Sequence, residues 1–268
     1  MNKITKKISD FISYASIFYA ILSILFWLLA GTVMYPAPKP ATYQKTANIQ
    51  TLIINKNEKI ATKYLKNPNA EYTILFSHGN SEDLGTIDTY LQLLYKSGYS
   101  VFAYDYRGYG LSDGKASENN TYEDILTSYN YLTKTLKIPG KNIIALGRSI
   151  GTGPSVELAK EKKIGALILE SGFISAYSVF TRFQILMGDK YQNLKKLKKI
   201  DTPTLFIHGK KDTIIPLWHA KKLYQTSNGP KDFYWVEGAD HNNLLYFAQI
   251  EYFKRINQFI DEKVHQGN

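Results

Sequence analysis

The sequence predicts an α/β chain built on a mostly parallel, doubly wound sheet, and two patterns point there. Short apolar runs recur along the chain: "YTILFS", "YSVFAYDY", "NIIALG", "IGALILE", "TPTLFIHG" and "DFYWVEG". Near-continuous apolarity is what strands buried on both faces of a parallel sheet require. Between the runs lie amphipathic segments of helical length, "TIDTYLQLLYKSG", "TYEDILTSYNYLTKTL" and "HAKKLYQTS". Strand and helix alternating in this way build a sheet covered on both faces. The chemistry of such sheets collects at the carboxyl ends of the strands, which filters every candidate residue below.

The chain opens on a basic tail, residues 1–10, with Lys3, Lys6 and Lys7. No charged residue follows from Phe11 to Pro38, and the stretch 11–35 exceeds the roughly 20 residues a helix needs to cross a bilayer. It predicts one transmembrane helix that anchors the protein in membrane lipid. A cleaved signal peptide competes, because the three lysines resemble a basic n-region, but the apolar stretch is longer than the roughly 7 to 15 residues of an h-region. Phe11 and Tyr14 near one end, and Trp27 and Tyr35 near the other, suit interface aromatics. The three lysines outnumber Lys39 and Lys45 on the far flank, a small bias that places the remainder on the non-cytoplasmic side. Residues 36–46, with "PAPKPA", read as a stiff linker, and residues 47–268 suit a single α/β domain.

Within that domain "IQTLIIN" and "KIATKYL" flank a polar "KNE" turn, an antiparallel hairpin at a sheet edge. The last helix carries Phe247, Ile250, Phe253, Ile256 and Ile260 at helical spacing, so one face is expected to pack on the sheet. Hydrophobic residues at 44% and charged residues at 21% are ordinary for a globular chain and indicate neither disorder nor a polytopic membrane protein. The absence of cysteine removes disulfides, thiolate metal sites and cysteine nucleophiles. A net charge of +10 raises the question of nucleic acid, but the lysines are scattered and no recognition motif accompanies them. No nucleic-acid partner is expected.

The stretch "IIALGRSIGTG" puts Ser149 between Gly147 and Gly151, after one apolar run and before a helix-capable segment. A strand-turn-helix elbow needs small residues two before and two after its central residue, and it exposes that residue's hydroxyl beside the next amide, here that of Ile150. The motif alone arises often by chance, and serine needs a histidine base held by an acid. Of five histidines, His265 lies in the tail and His219 in a helical segment, which assigns both to the surface; His78 and His208 precede glycines at strand ends and shape turns there. His241, beyond the end of "FYWVEG", remains as base. Asp212 in "HGKKDTIIP" follows a strand and keeps the order serine, acid, histidine, although a turn-capping aspartate is the plain alternative; Glu170 is second choice, and Asp240 is too close in sequence to reach the ring of His241. A second oxyanion donor is expected from the amide of Asn80 in "HGNSEDLG".

Together "SHGNSEDLG", "AYDYRGYGLSDG", "GRSIGTGP", "HGKKDTIIP" and "VEGADHNNLL" resemble the α/β-hydrolase-fold serine hydrolases, over roughly residues 72 to 262. More narrowly, they are similar to the α/β-hydrolase-domain branch that includes membrane-associated protein depalmitoylases. The resemblance implies Ser149 as nucleophile, Asp212 as acid, His241 as base, the Asn80 and Ile150 amides as oxyanion hole, and Asp105 and Arg107 as scaffold. It also implies cleavage of an acyl ester or thioester with neither metal nor organic cofactor. Those depalmitoylases attach through acylated cysteines, which this chain lacks. The connection from Ser171 to Asp201 is where the fold inserts a lid, here short; Phe173 and Tyr177 are the candidate acyl-pocket residues, and Lys195, Lys196, Lys198 and Lys199 can either meet anionic headgroups or be solvated. A serine peptidase on the same fold and a catalytically inactive, membrane-tethered interaction module are the alternatives.

Overall fold

A computed structural model describes residues 3–181 and 188–264; His265 lies outside them. The order is α1 (Lys3–Met34), β1 (Ile49–Ile53), β2 (Lys59–Leu65), β3 (Thr73–Ser77), α2 (Asp88–Lys96), β4 (Ser100–Tyr104), α3 (Glu118–Asn130) and β5 (Ile143–Arg148). It continues with α4 (Thr152–Glu161), β6 (Ala166–Glu170), α5 (Ser178–Thr181), α6 (Asn193–Leu197), β7 (Thr204–Gly209), α7 (Trp218–Thr226), β8 (Lys231–Val236) and α8 (Leu244–Lys263). The eight strands form one sheet in the order β1-β2-β4-β3-β5-β6-β7-β8. The first two make the antiparallel edge, and every pair from β4 to β8 is parallel.

The apolar runs lie where their composition demands. All residues of β3, β4, β6 and β7 are buried, as are the first five of β5, while the edge strands β1 and β8 are only partly covered. Two cores flank the sheet. One contains Phe102, Tyr104, Val156 and Leu169, and the other Ile74, Phe76, Leu91 and Ile168. Two helices depart from expectation. The helix expected from Thr121 begins at Glu118, because Ser117 Oγ accepts the Asn120 N–H as an N-cap, and a π turn over Tyr131–Thr135 follows it. In α8 a kink at Ala248 turns the first residues away from the predicted face. Ile256 and Ile260 are buried as expected, Ile250 is exposed, and Tyr252 and Phe259 complete the buried stripe.

The helix α1 begins at Lys3, so the basic tail is largely its first turns, and it ends at Met34 because the residue before Pro36 resists helical backbone. Its segment Ile4–Leu25 is long and apolar enough to cross a membrane. The β6–β7 connection, expected as a short lid, carries the brief helices α5 and α6.

Two buried ionisable side chains tie loops to this frame. Arg107 donates through Nε to Asp124 Oδ1 at 2.8 Å and also reaches Glu58 and Glu123. Asp105 accepts from the Leu84 amide at 2.9 Å and from the Tyr43 hydroxyl, with His78 Nε2 3.5 Å away. Both residues thus occupy the scaffold positions that the resemblance implies. Gly110 must be glycine, with φ +48° and a Cβ direction that points straight into the Asp105 carboxyl.

Removing one member of a buried pair strands the other, so Arg107→Met is expected to lower the unfolding free energy by about 3 kcal/mol in urea titrations. Burial pushes the Asp105 carboxyl up to about 8, against the opposing Tyr43 hydrogen bond. The folded chain therefore holds a proton that the unfolded chain releases near pH ~4, and stability falls as pH rises from about 4 to about 8. Asp105→Asn is expected to flatten that decline, read as melting temperature against pH.

Candidate active site

The strand β5 delivers Ser149 into a tight turn with φ +53°, a left-handed conformation that costs energy in a residue with a side chain. Both flanking glycines are required sterically. A Cβ on Gly147 would strike the Gly151 carbonyl, and one on Gly151 would strike the carbonyl of Ser77 at the end of β3. The elbow is therefore packed directly onto the neighbouring strand, and α4 starts immediately after it.

The loop after β7 carries Asp212, and the loop between β8 and α8 carries His241. His241 Nδ1 lies 2.8 Å from Asp212 Oδ2, and its Nε2 lies 3.0 Å from Ser149 Oγ. A carboxylate can only accept, so Nδ1 carries the proton and Nε2 is free to accept from the serine hydroxyl. Asp212 also accepts the amides of Ile214 and Ile215 through Oδ1, at 3.0 and 2.7 Å. Burial alone would raise its carboxyl, but the hydrogen bonds from His208 and His241, with the amide of Ile215, hold it well below the usual carboxylate range.

The other candidates are engaged elsewhere. Glu170 accepts from the hydroxyls of Tyr90 and Tyr252 at 2.8 and 2.6 Å and pairs with Arg148, and Asp240 is an exposed turn residue that accepts from the Asn242 amide. His208 does more than shape a turn, since its Nε2 donates to the Ile215 carbonyl at 2.7 Å and lies 3.2 Å from Asp212. His78 donates through Nδ1 to the Gly79 carbonyl at 2.7 Å. The surface position expected for His219 is corrected: it is fully buried, stacked on Trp218, and its Nδ1 accepts the Ile174 amide at 3.3 Å. Burial, reinforced by His208, pushes it down to about 4, so it stays neutral.

Asn80 and Ile150 both line the cleft beside Ser149. Sequence reasoning missed what positions them. Glu82 accepts the Gly79 amide at 2.6 Å and pairs with Arg148 of the elbow, while Tyr109 donates to the Asn80 carbonyl at 2.7 Å. Arg148 thus links the elbow to the loop after β3 and, through Glu170, to β6 and α8. The only local signals were a glutamate three residues after a glycine and an arginine beside the serine.

The cleft has a volume of about 650 Å³. Phe173, Ala176, Val179 and Phe180 of the lid line it, with Ile214 and Ile215 of the Asp212 loop and, unforeseen, Val33 and Met34 of α1. Tyr177 is placed instead inside the core, away from the cleft lining. Lys196 is drawn to Glu157 and to the Tyr122 ring and hydroxyl, while Lys195, Lys198 and Lys199 are exposed. Among the described residues, no cluster of histidine and carboxylate side chains is arranged to hold a metal.

A family profile described as serine aminopeptidase, S33, matches residues 68–196. Human α/β-hydrolase domain-containing protein 17B is 38% identical over 214 residues, covering 78% of this chain and 74% of its own. Human α/β-hydrolase domain-containing protein 17C is 38% identical over 201 residues, covering 74% of this chain and 60% of its own. Among solved structures, an esterase of Pyrococcus furiosus superposes with a TM-score of 0.72 at 18% identity, covering 86% of this chain and 98% of that one. An esterase domain from Rhodothermus marinus superposes with a TM-score of 0.62 at 19% identity, covering 81% of this chain and 98% of that one. The fold is that of the α/β hydrolases, and the chain belongs to the α/β-hydrolase domain-containing protein 17 family of serine hydrolases.

Proposed function

We propose that the protein is a membrane-anchored serine hydrolase that cleaves carboxylic ester or thioester bonds of acylated substrates, lipid or acylated protein, through an acyl-enzyme on Ser149. The observation that carries this reading is the hydrogen-bonded line Ser149–His241–Asp212 at an apolar cleft. Ser149 Oγ attacks the carbonyl carbon while His241 Nε2 takes its proton, and the Asp212 carboxylate stabilises the imidazolium. The amides of Asn80 and Ile150 hold the oxyanion as it develops. The imidazolium then protonates the leaving alcohol or thiol. In the second half His241 takes a proton from water, which attacks the acyl-enzyme and releases the carboxylic acid. The lid phenylalanines and the isoleucines of the acid loop would receive the acyl chain, and α1 would hold the domain at the membrane with Lys6 and Lys7 on the cytoplasmic side.

The family profile's description gives a second reading, an aminopeptidase. Such an enzyme needs a carboxylate ready to receive the substrate's α-ammonium group. Among the described lining residues the acidic side chain is Glu82, and Arg148 already neutralises it. That occupancy favours an uncharged acyl group over a peptide amino terminus.

Wild-type protein is expected to label with a fluorophosphonate probe and to hydrolyse acyl esters, and Ser149→Ala to lose both, with kcat down by at least about 10³-fold. Folded wild-type protein that is inert to the probe and to short p-nitrophenyl esters would overturn the hydrolase reading. Glu82→Gln weakens the hold on the oxyanion loop, whose amide matters most in the transition state. It is expected to lower kcat about tenfold with KM changed by less than about twofold, in steady-state assays on a short ester.

A further inference from the structure

We propose that the carboxyl end of α1 is a wall of the acyl-binding cleft, so that the membrane helix itself helps select a long acyl chain drawn from the bilayer. This rests on the hydrolase reading above and adds to it the source of the substrate and two residues that discriminate among acyl groups.

The uncharged helical stretch from Phe11 to Met34 is about 36 Å long, whereas the hydrocarbon core is about 30 Å thick. With the amino-terminal end of that stretch at one boundary, the last turn emerges at the other. The two regions of α1 behave differently. Only 6% of the candidate span lies inside the protein, so that part presents apolar side chains outward, as a lipid-facing helix does. At the end, by contrast, Met34 is only 8% exposed and joins the core that contains Tyr106 and Phe173. Val33 and Met34 then line the same cleft as Ser149 and His241.

Further contacts fix this end to the lid. The Tyr35 hydroxyl is 2.7 Å from that of Tyr191, which in turn is 2.8 Å from Thr121 Oγ1. Trp27 packs against Gly188, with the Lys190 ammonium 5.9 Å from the ring centroid. The helix that would enter the bilayer and the lid that covers the cleft are thus in direct contact.

The rim of the cleft gives the occupant. Val33, Phe180 and Ile214 are 58%, 62% and 52% exposed, three large apolar side chains on the edge of one opening beside a membrane helix. In water such an edge is costly, and at the bilayer surface it faces acyl chains. An acyl chain lying alongside α1 would meet Val33 and Phe180, which line the same cleft as Ser149, and would keep apolar neighbours there while its ester or thioester group lies at Ser149. A substrate with a short acyl group gains nothing from this wall.

The test uses the full-length protein reconstituted in phosphatidylcholine vesicles, with one peptide carrying either a palmitoyl or an acetyl thioester. The readout is the ratio of the two kcat/KM values, taken only on protein that labels with fluorophosphonate. Val33→Trp, which narrows the entrance from the helix side, is expected to lower the palmitoyl-to-acetyl ratio at least tenfold. A labelled Val33→Trp protein whose ratio stays within twofold of wild type overturns the proposal. Where that variant does not fold, Val33→Ser replaces it, with an expected fall of at least threefold and the same overturning result. Wild-type protein that neither labels nor cleaves either thioester would sink the hydrolase reading instead, so the two failures are distinguishable.

Discussion

The structure depends on one close approach, that of the serine elbow onto the end of β3. Gly151 sits against the carbonyls of Ser77 and His78, and no side chain fits between them. That contact sets Ser149 in its left-handed conformation, starts α4, and brings the loop with Asn80 alongside the elbow. Strain of this kind persists only where the surroundings hold it. Here the restraint comes from both sides: the buried strands β3 and β5 beneath, up to Gly147, and the Glu82–Arg148 pair across the top. Asp105 and Arg107 act at the next remove, pinning the loops after β3 and β4 to the same frame.

The side chains hydrogen-bonded in line with Ser149 reach this elbow from distant parts of the chain. Asp212 and His241 both lie on loops at carboxyl ends of strands, and β7 and β8 are adjacent, so their loops meet. Asp212 accepts hydrogen bonds from two amides of its own loop as well as from His241. Its charge is thereby fixed and its oxygens oriented, which fixes the imidazole in turn. His208 supports the same loop from beneath, a structural use of a second histidine close to His241.

What could be read from the sequence followed from local rules. The apolar runs and helical segments specify the parallel sheet, because burial on two faces leaves no other composition for its strands. The hairpin edge was readable from its polar turn. Ser149, Asp212 and His241 stood out because each follows a strand, and the fold brings the three within hydrogen-bonding distance. The unread features join residues far apart in sequence. Arg148 meets Glu82 and Glu170, His219 is buried under the lid segment at Ile174, and Tyr177 faces inward where helical spacing could not say so. The kink at Ala248 displaced the predicted stripe of α8 for the same reason: packing set the helix orientation, while periodicity recorded only its existence. Val33 and Met34 looked like the end of a membrane segment, and nothing in their composition indicates a cleft.

The way α1 joins the domain has a consequence for stoichiometry. This chain has no cysteine, and its apolar helix is part of the polypeptide. Because α1 is continuous with the polypeptide and its Val33 and Met34 line the cleft, helix and cleft are present in a fixed one-to-one ratio that no dissociation step can change.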